Sequence, residues 1–212
     1  MAGYLIPDCQ PGGLFRLEEN IRRSHFIVSL AHTPGTEVAR AFVDRIKAEF
    51  PDATHNCWAF AAGTPGATAL VGYSDDGEPY GTAGRPMLTV LLHSGVGEIC
   101  AVVTRYFGGV KLGTGGLVRA YQGMVQLGLD SLPTILFQVP ARLEVVLDYS
   151  RITLFQRLLP EFAALVEHED FAADATFRLV LPENNVEAFS TRLTDLTEGT
   201  VLIHALTDDP QP

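Results

Sequence analysis

The stretch that most restricts what this chain can become is residues 102–121, V-V-T-R-Y-F-G-G-V-K-L-G-T-G-G-L-V-R-A-Y. Its β-branched beginning reads as a buried strand and its end as an amphipathic helix. Between them lie five glycines in nine positions, 108–116. A strand that runs through such a loop into a helix leaves bare backbone N–H groups at the helix N-terminus, where the helix dipole favours negative charge. Arg105, Lys111 and Arg119 flank the loop, and Lys111 is one of only two lysines in the chain. The pattern is no Walker A loop: Gly108 and Gly113 have the right spacing, but Thr114 stands where the lysine is required. It is no dinucleotide fingerprint either, because Val118 fills the third glycine's place. The residues read as a phosphate or nucleic-acid site are Arg85, Arg105, Lys111, Gly113, Thr114, Gly115, Gly116 and Arg119. The competing reading is a tight turn in which backbones pack closely.

Around this stretch the periodicity predicts an α/β unit. Strands are expected at 14–17 and 24–30, joined by a turn at Glu18-Glu19-Asn20, after an extended Pro/Gly-rich leader over 1–13. Thr36 is a candidate N-cap for a helix carrying Val38, Ala41, Phe42, Ile46 and Phe50 on one face and stopped by Pro51. Two strands are expected at 54–62 and 67–73, then a polar loop, a helix over 82–94, a strand over 97–107 and a helix over 117–129. After Pro133 the pattern resets to strand 141–148, helix 150–159, strands 163–170 and 174–181, helix 183–196, strand 199–206 and a polar tail. That order, βαββαβ in about 70 residues, is the split βαβ, ferredoxin-like sandwich. The predicted class is α+β, with domains over 1–135 and 136–212.

Two further clusters lie in the first domain. In His55-Asn56-Cys57-Trp58-Ala59-Phe60, a strand places His55, Cys57 and Ala59 on one face and Asn56, Trp58 and Phe60 on the other. His55 and Asn56 are either the polar start of a core strand or the rim of a site. In Ser74-Asp75-Asp76-Gly77-Glu78-Pro79, three carboxylates in four positions exclude a folded core. They read as a solvated turn and helix cap, as a hard-cation or acid/base group, or as the partner that pins one of Arg85, Arg105 and Arg119. The EF-hand spacing is absent.

Charge and composition narrow the function classes. Residues 1–135 carry 10 basic and 12 acidic side chains, whereas 136–212 carry 5 and 13, so most of the net −10 belongs to the second domain. So acidic a chain is a poor non-specific coater of DNA, and any nucleic-acid contact must come from a local basic patch. The longest apolar run is six residues, 57–62, against the roughly 20 that a spanning helix needs, and no secretory signal pattern opens the chain. Cys9, Cys57 and Cys100 form no C-x-x-C pair, and an odd count fits a reducing compartment, so a cytoplasmic protein is expected. Neither a metal nor a cofactor is expected, and no residue is assigned a catalytic role.

H-N-C-W at 55–58, S-D-D-G-E-P at 74–79, G-T-A-G-R-P at 81–86 and V-T-R-Y-F-G-G-V-K-L-G-T-G-G-L-V-R-A-Y at 103–121 together resemble the IMPACT family, in its bacterial branch. The resemblance implies an N-terminal domain like domain 2 of ribosomal protein S5, and a C-terminal domain similar to one of elongation factor G. Some nucleotide-handling kinases share the first fold. Eukaryotic relatives carry an extra N-terminal domain, expected to be missing here, and regulate translation in the amino-acid-starvation stress response. The leading expectation is therefore a non-enzymatic binding protein linked to translation, engaging RNA, the ribosome or a translation-associated protein through the Gly-rich basic loop. The alternatives are an enzyme acting on a phosphorylated small molecule or nucleotide, with Asp75, Asp76, Glu78 and His55 supplying acid/base or Mg²⁺ chemistry, and a pure protein-interaction module.

Overall fold

The computed structural model describes residues 3–10 and 12–206. Met1, Ala2, Pro11 of the leader and the polar tail from 207 on lie outside the described residues. The chain is α+β and forms two compact units, one spanning Tyr4–Phe137 and one beginning at Gln138.

The first unit is built on a five-stranded antiparallel sheet of β2 (Phe15–Ile21), β3 (Ser24–His32), β4 (His55–Ala61), β5 (Val71–Ser74) and β6 (Ile99–Tyr106), in the order β2-β3-β6-β4-β5. Helix α1 (Thr36–Glu49) covers one face, and α2 (Gly84–His93) and α3 (Thr114–Ser131) cover the other. The strand alternation explains the division. Ile99, Ala101 and Val103 meet α2 and α3, while Cys100 and Val102 meet α1 through Phe42, Val43 and Ile46. The central strand β6 is therefore buried on both faces and reads as a nearly continuous apolar run. His55, Cys57 and Ala59 do share one face and Asn56, Trp58 and Phe60 the other; Trp58 stacks on Phe60 at 5.6 Å.

Several elements depart from the sequence reading. Glu18-Glu19-Asn20 is extended strand, not turn. β2 is a sheet edge whose polar side chains face water, and the chain turns instead at Arg22-Arg23, both with left-handed φ (46° and 69°). The leader is not featureless: β1 (Tyr4–Pro7) pairs antiparallel with β7 (Thr134–Phe137). β5 is shorter than expected. Thr36, the expected N-cap, is instead the first residue of α1, whose cap position is Gly35, and α2 starts at Gly84 rather than Thr82. Helix α3 begins three residues early, so Thr114, Gly115 and Gly116 form its first turn.

The second unit is a four-stranded antiparallel sheet of β8 (Pro140–Leu147), β9 (Leu165–Phe171), β10 (Ala175–Pro182) and β11 (Leu202–Leu206), in the order β11-β8-β10-β9. With α4 (Ile152–Leu158) and α5 (Val186–Leu196) this is the ferredoxin-like order. Leu143, Val145, Leu147, Phe177 and Leu179 pack with Phe155 and Phe189 on one face only. Each such buried side chain contributes about 1.5–3 kcal/mol.

Candidate functional site

The Gly-rich stretch, the carboxylate loop and the start of β4 meet at one cleft of about 470 Å³, lined by Thr54, His55, Glu78, Pro79, Arg105, Phe107, Lys111, Leu112, Gly113, Thr114 and Leu117. Two glycines shape the loop that borders it. Gly108 passes so close to the Arg22–Arg23 turn that a Cβ there would lie 1.7 Å from the Arg23 carbonyl oxygen, so no other residue fits. Gly113, at φ 74°, supplies the left-handed turn from which α3 departs. Because Gly113 occupies the cap position, no side chain caps α3, and its first turn holds no acidic residue. The N–H groups of Thr114, Gly115 and Gly116 have no partner within the helix, as at any helix start. Lys111 is exposed beside them. Arg119 folds back over the same turn, its Nη1 within 3.7 Å of where a Cβ on Gly115 would stand. Among the described residues no ion pair engages Arg85, Lys111 or Arg119.

Arg105 has a different fate from the one the sequence suggests. It points from β6 into the α2/α3 side of the unit and is 5% exposed. Its Nη1 donates to Glu78 Oε1 at 2.5 Å and its Nη2 to Ser24 Oγ at 3.2 Å, while the guanidinium lies 5.5 Å from the centres of both the Phe26 and the Phe107 rings. Its charge is thus already met, and it is no free phosphate ligand. Arg85, exposed on α2, lies outside the cleft lining. The four basic residues therefore do not converge.

The carboxylate loop is only partly the solvated turn it resembles. Asp75 is the cap of α2: its carboxylate accepts from the N–H groups of Gly81 (2.7 Å), Ala83 (3.0 Å) and Gly84 (2.9 Å). Asp76, itself at φ 44°, accepts from Lys47 Nζ (2.5 Å) and from the Asn56 backbone N–H (2.7 Å), tying the loop to α1 and β4. Glu78, by contrast, is buried at 8% exposure. It accepts from Arg105 and, at 2.8 Å, from the Tyr121 hydroxyl, and its Oε2 lies 3.8 Å from His55 Nε2. Of the readings offered for this loop, the pinning of Arg105 by a carboxylate and the helix cap are the ones the geometry contains. Among the described residues no group of three His, Cys, Asp or Glu side chains is arranged to hold a metal ion.

His55 lines the cleft and donates from Nδ1 to the Asp76 carbonyl at 2.8 Å, with Nε2 on the side of Glu78. Asn56 faces away: it bonds the Phe50 carbonyl and accepts from Thr104, pegging two strands and α1 together. Behind Glu78, Tyr121 Oη lies 3.3 Å from Cys57 Sγ. Burial pushes both the Cys57 thiol and the Tyr121 hydroxyl far above their ordinary ranges, so neither serves as a nucleophile or base near neutral pH. Cys100 is buried likewise and equally inert.

The sequence pattern assigns Tyr121, Ser24 and Phe107 no part in the site, yet all three border or support it. Tyr121 sits four residues after Leu117 and reads as a core aromatic; its hydroxyl, which needs a partner when buried, was the available signal. Phe107 carried a fainter one, a large apolar residue immediately before the glycines.

The comparisons with known proteins agree on kinship. Residues 22–129 match the family described as Impact N-terminal domain, and residues 145–200 a domain of unknown function, DUF1949. The chain is 43% identical over 206 residues to IMPACT family member YigZ of Escherichia coli (strain K12), covering 97% of this chain and 99% of that protein. It is 37% identical over 179 residues to IMPACT family member YvyE of Bacillus subtilis (strain 168), covering 84% and 82%. A crystal structure described as that of an hypothetical protein matches with a TM-score of 0.69 at 42% identity, over 99% of this chain and 100% of that one.

Proposed function

This chain belongs to the IMPACT family, and from that premise we propose that it is a non-enzymatic, translation-linked protein that grips a phosphate of an RNA or ribosomal partner with Lys111 and the first turn of α3. Family membership points to translation-related regulation; the ligand is our own reading. The observation that carries it is the placement of an exposed, unpaired lysine beside a helix start with neither a side-chain cap nor an acidic residue, with Arg119 over the same turn. Backbone N–H groups, the helix dipole and two cations all favour one anion there. Arg105 drops out of the phosphate-binding set and becomes the support of the cleft floor. The enzyme reading is not favoured by the geometry: the oxygens of Asp75 and Asp76 are engaged by backbone amides and Lys47.

The test is an anisotropy titration of labelled RNA at low and near-physiological salt. The wild-type protein is compared with Lys111→Ala and Arg119→Ala. We expect salt-sensitive binding, with the slope of log K against log salt shrinking by roughly 0.7–0.9 for each phosphate contact removed. Binding that is unchanged in both variants overturns the assignment. No helix among the described residues is long and apolar enough to cross a membrane.

A further inference from the structure

Next to the phosphate position the cleft offers something a phosphate does not use. Its opening is bordered by Phe107, Pro79, Leu112 and Leu117, and Phe107 is 46% exposed. A large aromatic half in water at the mouth of a cleft is held there at a cost, and here its backbone and its ring each have a partner. The buried guanidinium of Arg105 sits 5.5 Å from the ring centre, and the Phe107 N–H donates to Thr54 Oγ1 at 2.9 Å. Arg105 is in turn fixed by Glu78 and Ser24. The ring is therefore a preorganised platform, already packed by one cation. Arg105 Nε is one of two buried side-chain polar atoms without a partner among the described residues, so the cleft floor also carries an unmet donor.

We propose that the cleft takes one unpaired base of a single-stranded RNA segment, stacked on Phe107, with the adjoining phosphate at Lys111 and the first turn of α3. This deepens, and rests on, the phosphate-binding reading above. A duplex would leave the apolar cleft empty, since A-form helices keep their bases paired and stacked and offer proteins mainly backbone and 2′-hydroxyl groups. An unpaired base meets both halves of the site at once. Base-on-aromatic stacking tolerates any sequence because every base has a π-face. A cleft of about 470 Å³ has room for one base and not for a stacked pair of nucleotides with their sugars.

The experiment compares a labelled single-stranded oligonucleotide with the same length of RNA duplex, titrated into wild-type, Phe107→Ala, Phe107→Trp and Lys111→Ala proteins of the full chain. Thermal melts check that each variant is folded. The expected result has four parts. Single strands bind more tightly than duplex. Phe107→Ala weakens single-strand binding by roughly 5- to 150-fold with the salt slope unchanged. Phe107→Trp restores it. Lys111→Ala lowers the salt slope instead. Equal affinity for both RNAs, with Phe107→Ala inert and Lys111→Ala still weakening both, overturns the base-stacking proposal and leaves the phosphate reading standing. Failure of wild-type protein to bind either RNA overturns both.

Discussion

In the first unit the ion pair Arg105–Glu78 has side chains 6% and 3% exposed; in the second, Arg178–Glu144 and Arg142–Glu167 have side chains 55% and 27%, and 39% and 39% exposed. The cause is architectural. Helices cover both faces of the first sheet, so a charge on its central strand is almost wholly withdrawn from water, even at the cleft floor, and finds its partner inside. The second sheet is covered on one face only, and Arg142, Glu144, Glu167 and Arg178 sit on the other, where water screens them. A buried pair fixes geometry, and here it joins the carboxylate loop to β6 and builds the cleft floor. The exposed pairs position nothing that the cleft uses.

The hardest test of this contrast is Glu78→Ala. It leaves a cation 95% buried with a serine hydroxyl as its remaining partner, and we expect a loss of about 3–5 kcal/mol by urea unfolding. Pairing it with Arg105→Met should recover much of that loss, because no charge is then stranded. A loss below about 1 kcal/mol for the single change puts the buried pair in the same class as surface pairs and breaks the comparison.

Alkaline pH sharpens the contrast. Burial raises the Cys57 and Cys100 thiols and the Tyr121 hydroxyl above their ordinary 9.0, 9.0 and 10.0. The folded state then keeps protons that the unfolded chain releases. Stability from these groups is complete below about pH 9 and falls as pH rises further, by about 1.4 kcal/mol per pH unit for each group once its unfolded counterpart ionises. All three lie in the first unit, and the second contains no cysteine. Urea unfolding between pH 8 and 10.5 should show this fall, and Tyr121→Phe should remove its share above pH 10. A flat profile refutes the assignment.

These residues also mark where the sequence ceases to be legible. The helices and central strands announce themselves because their apolar residues keep period 3.6 or 2 over a full element, as in α1 and β6. The short β1–β7 pair does not, since four residues carry too little pattern and their partners lie some 130 positions apart. The start of the site was readable in the glycines, the lysine and the helix that follows. Glu78 was readable only as one of three carboxylates that could pin one of three arginines, because a glutamate in a Gly/Pro loop looks solvated until Arg105, 27 residues on, is seen to bury it. The same partner withdrew Arg105 from the phosphate-binding set.

The smallest expected effect belongs to the second unit, at Glu144→Ala. Glu144 faces Arg178 directly across β8 and β10, with Oε2 3.2 Å from Nε. Cross-strand placement is favourable, yet the Arg178 side chain keeps more than half its surface in water. Coulomb attraction there is offset by the entropy of holding two long side chains and is screened by salt. We expect a loss under about 1 kcal/mol at low salt, shrinking toward zero at 1 M, where the screening length is about 3 Å. The same salt increment should leave most of the Glu78→Ala loss intact, because a pair this little exposed is screened far less than a surface pair. Comparing the two variants at two salt concentrations therefore separates burial from contact distance: if distance governed, the 2.5 Å and 3.2 Å pairs would respond to salt alike.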